Sequence, residues 1–419
     1  MDDCYALPRG TEWTPVDTAL ERLRLTLGPI TPYEEVPLGQ AAGRVLALPA
    51  HARRANPPAA NSAVDGYAFL WADLPPADAD GRVLLPLGEG RAAAGQPLPK
   101  ALPRGHAVRI LTGAEMPKGT DTVVLQEDCA VEGSSLRFPP PEKAGANRRK
   151  AGEDAQEGDL LLPACHKLAP QDLARLAVAG VGLVGVRRQL RVAVLSTGDE
   201  LIQPGAAPGT DGIFDANRPM LLALVEALGY AAVDLGAVRD DEAALRAALH
   251  RGAATADAIL TSGGASAGDE DHVSRLLTTE GQVSTWRIAV KPGRPLAIGT
   301  WGEKPIFGLP GNPVAAWICA LIFARPALAQ LAGGRWQTPR GYALPAAFEK
   351  RKKAGRREYL RARLDADGRV EAFRSEGSGL VGGLSWADGL VELPDAAMTV
   401  RRGDPVRFIP WSGFGIGGR

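Results

Sequence analysis

The chain has 419 residues, of which 45% are hydrophobic and 23% charged, and its 48 basic and 48 acidic side chains cancel to a formal net charge of zero. That balance is ordinary for a globular protein, leaves room for several domains at ~150 residues each, and excludes a nucleic-acid binder built on bulk positive charge. The four cysteines stand far apart without a C-x-x-C pair and the five histidines are scattered, which argues against a disulfide framework and a His/Cys metal site and leaves any metal to carboxylates.

The first residues, Met1 to Cys4, are acidic and show no apolar signal core. The longest apolar run, 314–324, is interrupted by Arg325-Pro326 and falls short of the ~20 residues that a membrane helix needs, so a soluble, cytoplasmic protein without membrane contact is expected. Leu20, Leu23 and Leu27 recur at helical spacing within 16–27, and Gly28-Pro29 ends that amphipathic helix. Mixed strand character over 34–54 gives way to the stiff run Asn56-Pro57-Pro58-Ala59-Ala60. It leads into Asn61-Ser62-Ala63-Val64-Asp65-Gly66-Tyr67-Ala68, too polar for a core strand; Asp65 is either a turn residue or a carboxylate presented on a proline-braced loop.

Short β-prone runs at 83–85, 107–111 and 121–125, separated by glycine and proline, predict an all-β module. Polar groups follow two of them directly, at Thr112 and at Gln126-Glu127-Asp128. Residues 170–180 read as an apolar helix, after which Gly180, Gly182 and Gly185 break the chain. From Leu190 the pattern changes to alternation: strand 191–197, helix 219–228, strand 231–238, helix 240–251, strand 258–260, a helix from about residue 271, strand 284–290, a hairpin at Trp301-Gly302, and a hydrophobic helix after Gly308-Leu309-Pro310-Gly311-Asn312-Pro313. Such alternation predicts a parallel sheet with helices on both faces.

Four polar turns then follow strands, at 197–200, 239–241, 262–271 and 308–312, and parallel topology would gather them on one sheet edge. Within 262–271, small residues from Ser262 to Ser266 can bring backbone N–H groups to an anion, whereas Asp269, Glu270 and Asp271 would repel one. A divalent cation between them reconciles the two halves, which points to a phosphorylated ligand held with a metal. Beyond Arg335 the alternation stops, and β-type runs with basic clusters at 350–353, 356–357 and 361–363 predict a small β-barrel-like tail domain whose cations could face the acidic turns.

Seven strings occur in order: N-S-A-V-D-G-Y-A (61–68), R-I-L-T-G-A (109–114), A-G-E-D (151–154), S-T-G-D-E-L (196–201), T-S-G-G-A-S-A-G-D-E-D (261–271), K-P-G-R-P (291–295) and G-L-P-G-N-P (308–313). Together they make the chain, over essentially its whole length, resemble the molybdopterin molybdenumtransferases, the MoeA and gephyrin E-domain family. The resemblance implies an α/β plus β multidomain fold. Its parts would be a discontinuous elongated N-terminal domain (1–52 and 150–184), a mostly β insert (53–149), a three-layer α/β molybdopterin-binding domain (185–331) and a C-terminal β-barrel-like domain (332–419). It further implies a homodimer that inserts molybdate into adenylylated molybdopterin and releases AMP with Mg²⁺, its active site shared between the α/β domain of one copy and the Asp65 loop of the other. The molybdopterin adenylyltransferase and apo-molybdoenzymes would be its protein partners.

Matched motif to motif, the polar site residues implied are Asp65, Thr112, Asp154, Glu200, Asp240 and Asp271. Glu200, Asp269 and Asp271 would hold Mg²⁺; Ser262, Gly263, Gly264, Ser266, Pro310, Gly311 and Asn312 would cradle the pterin and its phosphates. Lys291, Arg294 and Arg287 would meet substrate anions, with Arg356 and Ser378 added from the last domain. Val64 stands where the family often has methionine and Arg294 where lysine is frequent, and an arginine fork in place of a point charge leaves tungstate instead of molybdate open. Two other functions share the fold: a gephyrin-type scaffold, which need not keep Asp65, Glu200, Asp269 and Asp271 together, and a nucleotide hydrolase of the competence-damage type, which the 61–68 loop and the basic tail speak against.

Overall fold

The computed structural model describes residues 13–207, 212–264, 272–285, 287–293 and 296–417. The amphipathic segment forms the helix Val16–Thr26, and its buried face, Val16, Ala19 and Leu23, packs into the core of the α/β region. Strand Tyr33–Pro37 pairs antiparallel with Leu183–Arg187, so the glycines expected to break the chain after 180 lie in or beside a strand. Gly185 permits that pairing, because a Cβ there would meet the Tyr33 ring at 2.6 Å. A second long-range pair joins Ala50–His51 to Leu160–Leu162, next to the helix Pro170–Val178.

Between these pairs lies a six-stranded sheet in the order Thr122–Leu125, Gly66–Phe69, Ala107–Ile110, Val83–Ala92, Ser135–Phe138, Ala130–Glu132. The polar 61–68 stretch was expected to be a loop, yet its second half is an interior strand. Tyr67 and Gly66 pair on both sides, Ala68 and Phe69 are fully buried, and a Cβ on Gly66 would lie 1.9 Å from the Val124 carbonyl oxygen. The missing side chain makes room for the neighbouring backbone.

The α/β region is a six-stranded sheet ordered Ala231–Val238, Arg191–Thr197, Ala258–Ser262, Lys304–Leu309, Ala297–Trp301, Gln282–Thr285. The first four strands are parallel, as expected, but Ala297–Trp301 runs opposite to them, because the Trp301–Gly302 hairpin reverses the chain without a crossover helix, and Gln282–Thr285 pairs antiparallel with it at the edge. Alternate residues of Arg191–Thr197 feed two cores. Val192 and Val194 join Leu221, Val225 and Ile318 on one face, while Ala193 and Leu195 join Leu245, Leu249 and Leu276 on the other. Burying each such leucine or valine contributes ~1.5–3 kcal/mol, which fixes the register of the central strands and thus the position of their carboxyl ends.

The strand expected over 284–290 is divided. Gln282–Thr285 closes the α/β sheet, whereas Val290–Lys291 leaves it and pairs in parallel with Arg357–Leu364 of the C-terminal sheet. That second sheet continues through Gly389–Leu393 and Pro405–Pro410 to Tyr342–Pro345. Register opposes Lys291 to Glu358, so the α/β and C-terminal regions are stitched together at charged positions.

The hydrophobic run also differs from expectation, since the helix does not stop at Arg325-Pro326. Pro313–Cys319 continues through a π-turn, Ala320–Ala324, into Arg325–Leu331. The widened turn shifts the hydrogen-bond register just ahead of Pro326, which has no N–H to give. With 19 residues and a mean hydropathy of 1.7 this helix is long and apolar enough to cross a membrane, but 89% of it is buried inside the protein as a core helix. Arg325, itself 3% exposed, donates to the carbonyls of Leu321 (3.3 Å), Gln337 (2.7 Å) and Phe414 (3.3 Å), and burial pulls its guanidinium down to about 10.

Candidate active site at the strand ends

The carboxyl ends of the parallel strands open into a cleft of about 1300 Å³ whose other wall is the basic edge of the C-terminal region. Thr197 and Glu200, Asp240, Ser262 to Gly264, and Pro310 to Asn312 line one side; Lys350 to Arg356, Gly377 and Ser378 line the other. The four turns read from the sequence therefore meet at one place in their described parts. The basic cluster does face the acidic turns.

Gly263 and Gly264 adopt φ of +94° and +62°, and a Cβ on Gly263 would stand 2.4 Å from the Thr197 carbonyl oxygen. The turn can thus lie against the neighbouring strand end only as glycine. Thr197 Oγ1 donates to Asp240 Oδ1 at 2.5 Å, joining the first two turns. Asn217 joins the other two: its Nδ2 donates to Ser262 Oγ at 2.7 Å and to the Gly311 carbonyl at 2.6 Å. The carbonyl accepts only, so it fixes the orientation of the amide, and Asn217 Oδ1 is left buried without a partner among the described residues. Asp215, 1% exposed, accepts from Ser196 Oγ at 3.1 Å and from the Arg218 backbone N–H at 3.0 Å.

Asp215 and Asn217 line the cleft but were not among the residues expected to; a polar pair at the opening of the helix Asn217–Ala227, in D-A-N-R-P, is the signal that could have found them. Glu358 and Glu376 were missed as well, and Lys350 was read only as part of the basic cluster 350–353, because their pairing depends on contacts across the fold. Lys291 Nζ donates to Glu376 Oε2 at 2.7 Å, Lys350 bonds the other Glu376 oxygen, and Lys350 stands 3.1 Å from Glu358. Burial alone would raise the Glu376 carboxyl, but its bonds to Lys291 and Lys350 hold it below the ordinary carboxylate range. Lys350 is pulled down by burial, yet Glu376 and Glu358 leave it above its usual value.

Of the residues expected at the site, Glu200, Asp240, Ser262, Gly263, Gly264, Lys291, Pro310, Gly311, Asn312, Arg356 and Ser378 line the cleft. Lys291 enters it as part of an ion-pair group and not as an open cation. Asp65, Thr112 and Asp154 do not line it within one chain. Asp65 Oδ1 accepts from both the backbone N–H and the hydroxyl of Thr112 at 2.7 Å, which lower its carboxyl, while Asp154 accepts from Asn56 Nδ2 at 2.9 Å. Arg287 also lies outside the cleft: its φ is +61° and its carbonyl accepts from the Thr14 N–H at 3.1 Å. Ser266, Asp269, Asp271 and Arg294 fall outside the described residues. Among the described residues no group of three His, Cys, Asp or Glu side chains could share a metal ion, and no disulfide forms.

Three family descriptions match in chain order: MoeA N-terminal region (domain I and II) over 14–180, probable molybdopterin binding domain over 193–330, and MoeA C-terminal region (domain IV) over 343–411. A molybdopterin molybdenumtransferase of Haemophilus influenzae is 34% identical over 388 residues, covering 91% of this chain and 95% of that protein. The chain belongs to the MoeA family. Another MoeA relative, molybdopterin molybdenumtransferase 2 of Mycobacterium tuberculosis, is 34% identical over 377 residues, 88% of this chain and 92% of its own. The molybdopterin biosynthesis MoeA protein of Pyrococcus horikoshii OT3 superposes with a TM-score of 0.84 at 28% identity, covering 95% of this chain and all of that one. The MoeA architecture accounts for the mixed α/β sheet, the β insert and the C-terminal sheet seen here.

Proposed function

We infer that this MoeA-family chain is a molybdopterin molybdenumtransferase of molybdenum cofactor biosynthesis, inserting molybdate into adenylylated molybdopterin with Mg²⁺-dependent release of AMP. The observation that carries the reading is the cleft itself, in which glycine turns and carboxylates at parallel strand ends face a wall of lysine and arginine. Such a pairing suits a ligand that is at once polar, ring-bearing and multiply anionic. The backbone of Gly263, Gly264 and Gly311 approaches the pterin and its phosphates, with Ser262 and Asn312 as short side-chain partners and Asn217 holding the two turns at fixed separation. Arg356 and Ser378 meet the anion from the opposite wall.

The donors offered to a cation on the acidic side, Glu200 and Asp240, are carboxylate oxygens, which suits hard Mg²⁺. Glu200 would be joined by Asp269 and Asp271 in holding it. When bound, the ion supplies neutralisation of charge on the phosphates during loss of AMP. Asp65, Thr112 and Asp154 act in a second copy's cleft in a cytoplasmic homodimer, which gives the Asp65–Thr112 unit a role that its own chain does not. The division into 1–52 with 150–184, 53–149, 185–331 and 332–419 is part of the same proposal, supported by the long-range pairing of 33–37 with 183–187.

The test is to incubate the purified chain with adenylylated molybdopterin and Mg²⁺, with and without molybdate. AMP release that requires both molybdate and Mg²⁺ is expected. Release indifferent to molybdate would remove the transferase reading.

A further inference from the structure

The cleft and a smaller pocket of about 270 Å³ behind it share a wall made by Lys291, Pro292, Lys350, Glu358 and Glu376. Its charged members close a ring. Glu376 bonds Lys291 at 2.7 Å with one oxygen and Lys350 with the other, while Glu358 stands 3.5 Å from Lys291 and 3.1 Å from Lys350. Two ammonium groups and two carboxylates cancel, so the ring as it stands draws no anion toward it.

The two carboxylates differ in freedom. Glu358 sits on the strand Arg357–Leu364, is 7% exposed, and faces Lys291 across the ladder. Glu376 lies on a segment without helix or strand, and its side chain is 45% exposed. The backbone around it is nevertheless fixed, since Arg361 Nη2 donates to the carbonyls of Ser375 at 2.6 Å and Gly377 at 3.1 Å. Rotation of the Glu376 side chain toward solvent is the motion left, and it breaks no backbone contact.

We propose that Glu376 is a built-in competitor of the substrate oxyanion: its carboxylate holds the Lys291–Lys350 ammonium pair and must turn away before a tetrahedral dianion is taken there. This rests on the transferase reading and adds to it a residue that sets anion specificity. A dianion brings two charges to two ammonium groups where the carboxylate brings one, so molybdate, tungstate or sulfate displaces Glu376 and chloride does not. Affinity for the oxyanion is reduced by the fraction of time that the carboxylate occupies the pair.

Titration calorimetry of sodium molybdate into the full-length protein and Glu376→Gln reads this directly. The variant is expected to bind about tenfold more tightly, which corresponds to the carboxylate holding the pair roughly nine-tenths of the time. Adding Lys350→Ala to it should abolish the gain. Equal or weaker binding by Glu376→Gln, with thermal unfolding matching wild type, overturns the proposal. If that variant melts early, Glu376→Asp, whose shorter side chain reaches the pair less well, replaces it; an intermediate gain supports the competitor and no gain overturns it. AMP release separates the two readings. Molybdate-dependent release by wild type, with no change of affinity in Glu376→Gln, removes the competitor and leaves the transferase. Tighter binding by the variant without any release by wild type does the reverse.

Discussion

At the scale of single residues, charge pairing does most to hold the strand ends in place. Asp257, 5% exposed, receives Arg188 Nη2 on both oxygens at 2.8 Å and the Arg191 backbone N–H at 2.8 Å, at the start of the two central strands. Burial would raise its carboxyl, but those donors outweigh it and hold the carboxyl below its ordinary value. A carboxyl depressed in the folded state contributes stability that is complete above the unfolded value near ~3.9 and is lost as pH falls through the folded one. Asp257→Asn is therefore expected to cost about 1–3 kcal/mol at pH 7, read from urea midpoints, with the gap to wild type closing as pH falls below the ordinary carboxylate range. A gap constant with pH would show that the charge is not what matters. The turns that hold Glu200, Asp240 and Ser262 were legible in the sequence because each lies at a strand's carboxyl end, and the family motifs then singled out Glu200 and Asp240 within them. Glu376 and Glu358 were not, since ion pairs spanning 85 positions, as between Lys291 and Glu376, leave no local pattern.

Elements carry their own constraint where turns touch. Gly263 must pass within reach of Thr197, so Gly263→Ala would be strained both by its φ of +94° and by a 2.4 Å approach to a carbonyl oxygen. A loss of about 1–3 kcal/mol is expected, together with a raised KM for the molybdopterin substrate, because relief comes only by moving the turn away from the cleft. Unchanged stability and KM would show that the turn has room to spare. The alternating run 191–331 was readable because period-2 strands and period-3.6 helices alternate with glycine and proline between them. Gly66–Phe69 was misjudged for the opposite reason: an interior strand with glycine and tyrosine in it is paired by its neighbours and not by its own hydrophobicity. The split of 284–290 between two sheets was invisible too, since both halves are β-prone and only the partner strand tells them apart.

For the whole molecule, the placement of Asp65, Thr112 and Asp154 away from the cleft of their own chain makes the proposed homodimer testable. Asp65→Ala and Asp240→Ala should each abolish molybdate-dependent AMP release alone. Mixed after dissociation, they should regain up to roughly a quarter of wild-type activity, because half the dimers are hybrids carrying one site with both native residues. No recovery from demonstrated hybrids would place every essential group within one chain.

The long helix Pro313–Leu331 carries a consequence for how the protein comes into being. While it leaves the ribosome it has the length and greasiness of a bilayer anchor, and what marks it as something else is the cation at position 325, which costs ~2.5–3.5 kcal/mol at a membrane's midplane. The groups that later satisfy this cation include the oxygens of Gln337 and Phe414, which follow it in the chain by 12 and 89 positions. Earlier strands and helices can cover the greasy face as it appears, but the cation must stay in water until those later oxygens arrive.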